Sequence, residues 1–310
     1  MSRFVAIFPG QGAQVVGMGR DVAEAHRVAA DTFAEADDIL GFALSKLCFE
    51  GPAERLNATD IQQPAIFTTS VALFRAALDA GRIKREWFTA LGGLSLGEYT
   101  ALHLAEALSF ADALRLVARR GQLMQQAAER TAGGMVSLIG ADEDKVLALC
   151  EKVALQGRVR PANYNCPGQI VISGDKAACE AAAAMADEFG LRAVLLPVAG
   201  AFHSEHMQPA ADGLRGALAE CAFKTPAVRV ISNVTADYHR GPHAIRELLY
   251  QQVVSPVRWQ ACVERLIADG GEQFWEIGPN RHLTGMMRKI NRSAKTVNVS
   301  TLADLASAAS

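Results

Sequence analysis

Residues 93–97 read Gly93-Leu94-Ser95-Leu96-Gly97, a G-x-S-x-G pentapeptide of the kind that makes a serine nucleophilic. The glycines permit a turn too tight for any side chain, so a strand can pass abruptly into a helix with the hydroxyl exposed at the corner. The helix N-terminus then lies beside the reacting atom, and its unpaired N–H groups, the first on Leu96, can steady a developing oxyanion. Such a serine still needs a base, and histidine is the usual one because it titrates near neutrality. Of seven histidines, His26, His103, His239 and His243 sit in helix-like or polar segments where surface or capping roles are expected, and His282 stands among cations. His203 and His206 remain, in Gly200-Ala201-Phe202-His203-Ser204-Glu205-His206-Met207. A His-x-x-His pair can also hold a metal, but no third and fourth ligand follows nearby in sequence, so no metal site is expected. His203 is the expected base.

Arg120 is the second candidate. Ser109 and Asp112 form a capping box that starts a helix near Phe110. On that helix Ala113, Leu116, Leu123 and Ala127 share a stripe with Arg120, whereas Arg119 shares one with Asp112, Arg115, Gln122 and Gln126. Arg120 is thus a lone charge on an apolar face and must find an anion, either a structural carboxylate in the core or a substrate.

These residues need a scaffold. Trp87–Leu91 reads as a buried strand leading into the pentapeptide, and Glu98–Leu108 as the helix leaving it, with Glu98 suited to the dipole of the first turn. The chain opens with a strand at Phe4–Phe8 that runs into Pro9-Gly10-Gln11-Gly12-Ala13-Gln14; this loop lacks a P-loop lysine and the dinucleotide glycine spacing, so it is no phosphate cradle. Helices are expected from about 20 to 85, broken by turn signals at Asn57–Asp60 and Gln63-Pro64. Residues 131–198 read as strand, helix, strand, strand, helix, strand, the ferredoxin-like βαββαβ order. The expected fold is therefore α/β, a parallel-sheet domain over 1–130 and 199–310 carrying a small ferredoxin-like domain at 131–198. The large domain resumes with strands at Val228–Ser232 and Gln273–Ile277. His203 falls where the two domains would meet, a usual place for a cleft.

Composition narrows the function. The 310 residues are 50% hydrophobic, ample for a buried core, and 31 basic against 33 acidic residues leave a net charge of −2. Nothing global favours nucleic acid or an anionic membrane. Residues 281–295 hold Arg281, Arg288, Lys289, Arg292 and Lys295 without an acid, which fits either a solvated helix face or an acidic partner. Six scattered cysteines without C-x-x-C pairing are expected as reduced core thiols. With no apolar stretch of membrane-spanning length and no signal-peptide pattern, a soluble, cytoplasmic protein is expected.

The motifs together resemble the malonyl-CoA:acyl carrier protein transacylases and the related acyltransferase domains of polyketide synthases. The matching segments are Phe8–Gln14, Gly93–Tyr99, Arg120–Met124, Asn165–Gln169, Ala201–Ser204, Ser255–Trp259 and Glu276–Pro279, in family order. The resemblance implies a hydrolase-like core with an inserted small domain. It implies Ser95 as the nucleophile that carries malonyl as an ester, and His203 as the base, oriented by a main-chain carbonyl near Gln252. It implies Gln11 and Leu96 as the oxyanion hole, Arg120 as the holder of the malonate carboxylate, and Phe202 as a substrate-binding residue in a malonyl-selective motif. Malonyl-CoA would be the substrate, acyl carrier protein the partner, and no cofactor would be bound. Most members have histidine where this chain has Leu94, which bears on acyl tuning. The rivals are a polyketide acyltransferase acting in trans with another extender unit, a serine thioesterase or hydrolase, and a non-catalytic carrier-docking module.

Overall fold

A computed structural model describes residues 3–308; positions 1, 2, 309 and 310 of the expected large domain lie outside it. Among the described residues the strands are β1 (Phe4–Phe8), β2 (Phe88–Gly93), β3 (Gly133–Ala141), β4 (Val159–Cys166), β5 (Gly168–Asp175), β6 (Arg192–Leu195), β7 (Arg229–Val230), β8 (Gln273–Ile277) and β9 (Lys295–Val299). They form two sheets. The larger runs β7-β2-β1-β8-β9 and is parallel throughout. Helices cover both of its faces, so a central strand such as β1 is buried at every residue and reads as the continuous apolar run Phe-Val-Ala-Ile-Phe.

The smaller sheet is antiparallel, ordered β4-β5-β3-β6. With helices at Glu143–Lys152 and Lys176–Met185 between its strands, this is the ferredoxin-like arrangement expected from the order of elements. Its alternation explains how it is held. Val136, Leu138, Ile170 and Ile172 face the two helices and form a core of their own, while Met135 and Val171, on the opposite face, pack into the main core. The Val257 amide donates to the Ala162 carbonyl at 2.8 Å and the Tyr164 amide to the Val257 carbonyl at 2.9 Å, tying β4 to the larger body.

Local expectations shift in places. The strand before the pentapeptide starts one residue later and runs to Gly93, where Phe8 pairs with Gly93 across the sheet. The helix after it ends at Leu104, because Glu106 turns the chain at φ 64. The strand expected at Val228–Ser232 pairs only at Arg229–Val230; Ile231 bridges back to Tyr238 instead. Gln63-Pro64 is no turn but part of the helix Thr59–Asp79; as its sixth residue Pro64 cannot donate to the Asp60 carbonyl, a loss of one bond that the 21-residue helix absorbs. Ser109 caps its helix by accepting from the Asp112 amide, without the reciprocal bond of a full box.

Candidate active site

The site forms where β2 ends. Ser95 has φ 52 and ψ −102, a conformation few non-glycine residues adopt, and the helix Leu96–Leu104 starts at the next residue. Both flanking glycines are required. A Cβ on Gly93 would collide with the backbone of Gly97, and one on Gly97 with the Phe8 carbonyl. The elbow is therefore packed against the end of β1, and the Leu94 amide donates to the Phe8 carbonyl at 3.1 Å.

Ser95 and His203, 108 residues apart in sequence, meet here: Ser95 Oγ lies 2.9 Å from His203 Nε2. His203 Nδ1 lies 2.8 Å from the Gln252 carbonyl. A carbonyl only accepts, so Nδ1 carries the proton and Nε2 is left as the acceptor facing the serine. Burial first, and then the Arg120 guanidinium, push the pKa of His203 down to about 4, against the Gln252 and Ser255 carbonyls that favour the charged ring. The imidazole is thus neutral at pH 7, the state a base needs. His206 turns away to Asp175, 2.8 Å from Nε2 to Oδ1, so the two histidines do not share a site.

Arg120 lies within the helix Phe110–Arg130 and is 1% exposed. Its Nη1 donates to Gln63 Oε1 at 2.7 Å, and its Nη2 to Ser95 Oγ and Gln252 Oε1, each at 3.0 Å. Tyr99 stacks beneath the guanidinium at 5.3 Å. All three acceptors are neutral, and Nε has no partner. Burial lowers the pKa of Arg120, opposed by Tyr99 and Glu98. Arg119 is exposed.

The Gln11 and Leu96 amides have no hydrogen-bond acceptor among the described residues, although their neighbours do: the Gly12 amide donates to Gln14 and the Gly97 amide to the Leu94 carbonyl. A Cβ on Gly10 would strike the Leu94 carbonyl, so the loop holding Gln11 rests directly on the elbow. A cleft of about 1080 Å³ reaches Gln11 and is lined also by Asn165, Arg281, His282 and Lys289. Phe202 is buried in the main core next to His203 in sequence.

Sequence reasoning missed Gln63, Tyr99, Glu98, Asn233 and His239. His239, expected at the surface, is enclosed, with Nε2 2.7 Å from Glu98 Oε1. His103 is half-buried, its Nδ1 3.0 Å from the Leu108 carbonyl, and desolvation lowers its pKa to about 4. Glu98 does sit in the first turn of its helix, as expected, but is 0% exposed. The signal that singled out Arg120, one charge on an otherwise apolar helix face, was present for Glu98 as well, the one acid in a short apolar helix.

Comparison with known proteins follows the geometry. The acyl transferase domain family matches residues 5–307. The malonyl CoA-acyl carrier protein transacylase of Bacillus subtilis is 45% identical over 302 residues, 97% of this chain and 94% of its own. That of Escherichia coli K12 is 43% identical over 291 residues, 94% and 93%. Among solved structures, an acyl carrier protein S-malonyltransferase from Vibrio cholerae superposes with a TM-score of 0.93 at 42% identity, covering 98% of this chain and 99% of that one. A malonyl-transacylase solved in complex with its type II PKS acyl-carrier protein superposes at 0.95 with 40% identity, covering 99% of both. A serine on a strained elbow, a neutral histidine against it and a family match over almost the whole length agree, and the chain belongs to the acyl transferase domain family.

Proposed function

We propose that this protein moves the malonyl group from malonyl-CoA to the phosphopantetheine thiol of an acyl carrier protein, in two half-reactions through a malonyl ester on Ser95. The observation that carries the substrate is Arg120: a buried guanidinium whose partners are all neutral, within 3.0 Å of the nucleophile. A free carboxylate two carbons from the reacting carbonyl supplies the missing anion, and a plain acetyl or long acyl chain does not.

In the first half-reaction Ser95 Oγ attacks the thioester carbonyl while His203 Nε2 takes its proton. The oxyanion is held by the Gln11 and Leu96 amides. Collapse breaks the C–S bond, and His203 returns the proton to the leaving CoA sulfur. In the second, the carrier thiol gives its proton to His203, attacks the ester, and Ser95 leaves with that proton restored. Gln252 keeps the imidazole in the required tautomer through its carbonyl, and Phe202 bounds the acyl pocket. No step calls for a metal or redox cofactor. The cations Arg281 and Lys289 of the cleft suit the phosphates of both thioester carriers. We assign residues 131–198 as a small domain on the larger one, and the cytoplasm as the setting; among the described residues no helix is long and apolar enough to cross a membrane.

Intact-mass measurement after incubation with malonyl-CoA tests the reading. A malonyl adduct that maps to Ser95, is absent from Ser95→Ala, and passes to holo carrier protein supports it. Release of free malonate without transfer would make the protein a hydrolase, and a label on cysteine would end the serine mechanism.

A further inference from the structure

Behind the nucleophile lies a polar cluster that takes no part in the steps above. Glu98 Oε2 accepts from the Gln252 side-chain amide at 2.6 Å and from the Asn233 backbone amide at 3.0 Å, and Oε1 faces His239 Nε2 at 2.7 Å. Both side chains of the Glu98–His239 pair are wholly enclosed. The Asn233 backbone N–H can only donate, so Glu98 Oε2 is an acceptor, and it meets Gln252 as one too.

An accepting oxygen dictates how its neighbours' amides turn. Gln252 must point its NH2 at Glu98 and at the Ser95 carbonyl, 3.1 Å away, which leaves Oε1 facing Arg120. With the amide reversed, NH2 would meet guanidinium and the carbonyl oxygen would meet two acceptors. We propose that Glu98 is a positioning residue that sets acyl selectivity from outside the acyl pocket, by locking the Gln252 amide so that its oxygen fixes Arg120 beside Ser95.

A second branch leaves the same carboxylate. Asn233, held by Glu98 through its own amide, accepts from the Ser95 N–H and donates to the Gly93 carbonyl at 2.8 Å. That branch steadies the elbow for every acyl group alike. The branch through Gln252 ends on the one residue that distinguishes a carboxylated acyl group from a plain one. Disturbing Glu98 therefore lowers all transfer somewhat, and malonyl transfer more.

The inference rests on Arg120 as the carboxylate holder. In the full-length protein, Glu98→Gln keeps the shape, removes the charge that holds the Gln252 amide and replaces one of the two acceptor oxygens by NH2. Efficiencies with malonyl-CoA and acetyl-CoA are compared with wild type and with Arg120→Ala. The malonyl-to-acetyl ratio should fall by about tenfold, within the range for residues coupled in one hydrogen-bond network. In an Arg120→Ala background the further change on Glu98→Gln should vanish from the ratio. If Glu98→Gln does not fold, Glu98→Asp, which keeps the charge and withdraws the carboxylate by one methylene, should lower the ratio in the same way. An unchanged or raised ratio in a folded variant overturns the proposal. A wild-type protein that forms no malonyl ester would instead sink the transacylase reading, and an Arg120→Ala variant with wild-type selectivity would remove the premise.

Discussion

Replacing Arg120 with alanine should leave an enzyme that scarcely tells malonyl from acetyl. The guanidinium is 1% exposed, so any bond it makes with substrate is made without competition from water. It offers parallel N–H donors to the two oxygens of a carboxylate, stronger than neutral hydrogen bonds and dependent on a planar fork. Losing one side of a desolvated charge pair costs about 2–5 kcal/mol, or a roughly thirty-fold to several-thousand-fold drop in malonyl efficiency. Acetyl has no carboxylate, and in the wild-type pocket it leaves Arg120 with only Gln63, Gln252 and Ser95. Removing the guanidinium relieves that mismatch, so acetyl transfer should hold or improve. The Nη2 donor also contacts Ser95 Oγ at 3.0 Å, so some loss common to both substrates is expected, and only the ratio isolates the carboxylate. The assay is kcat/KM for both CoA thioesters with one holo carrier protein, for wild type, Arg120→Ala and Arg119→Ala. Arg119 is exposed on the other side of the same helix and should leave the ratio unchanged. Equal losses for malonyl and acetyl in Arg120→Ala would refute the reasoning and make the residue structural.

His203→Ala should slow both half-reactions by at least about two orders of magnitude, the usual share of general acid–base assistance, while His206→Ala, paired with Asp175, should do far less; stopped-flow acylation with malonyl-CoA separates them. The acid limb of kcat/KM should fall near pH 4 rather than near the ordinary histidine value of 6.5, because burial and Arg120 depress His203; a midpoint above 6 would contradict the buried, neutral base. Since His203 and His103 both titrate lower folded than unfolded, protons bind the unfolded chain preferentially between pH 6.5 and about 4. Stability contributed by each is complete above that window and is lost as pH falls through it, by about 2 kcal/mol per histidine at pH 5, which urea titrations at pH 7 and 5 would measure. Gly97→Ala should give little folded protein, since its Cβ meets the Phe8 carbonyl, whereas Gly216→Ala, on an open helical face, should raise stability by about 0.5–1 kcal/mol with wild-type activity. Thermal melts decide that pair, and a Gly97→Ala protein melting like wild type would mean the elbow is looser than described.

What could be read from the sequence was whatever repeats at short range. Phe4–Phe8 announces a strand buried on both faces, the order of elements over 131–198 announces the small sheet, and the stripe through Ala113, Leu116 and Leu123 isolates Arg120. β7 was overread because Val228–Ser232 has strand composition but only two residues find a partner. The register that decides this belongs to β2, far away in the chain. Polar residues in the interior were harder still. Gln63 reaches Arg120 across 57 positions, Asn233 reaches Glu98 across 135, and Gln252 reaches Glu98 across 154. Nothing periodic marks such pairs, and glutamine, asparagine and histidine in polar segments default to the surface.

The two halves of the site depend on each other in one respect that distances alone do not express. Ser95 and His203 both hold positive φ, 52 and 57, and each such residue costs on the order of 1–3 kcal/mol unless its surroundings leave no alternative. Their surroundings are the residues that short-range patterns could not disclose. Asn233 clamps the Ser95 amide and the carbonyl two residues before it. Gln252 clamps the Ser95 carbonyl with its side chain and the His203 ring with its backbone. Glu98 holds both clamps. A strained serine and a strained histidine, legible as a pentapeptide and a short motif, are thus kept 2.9 Å apart by a buried carboxylate acting through two amides. The chemistry is local, and its geometry is not.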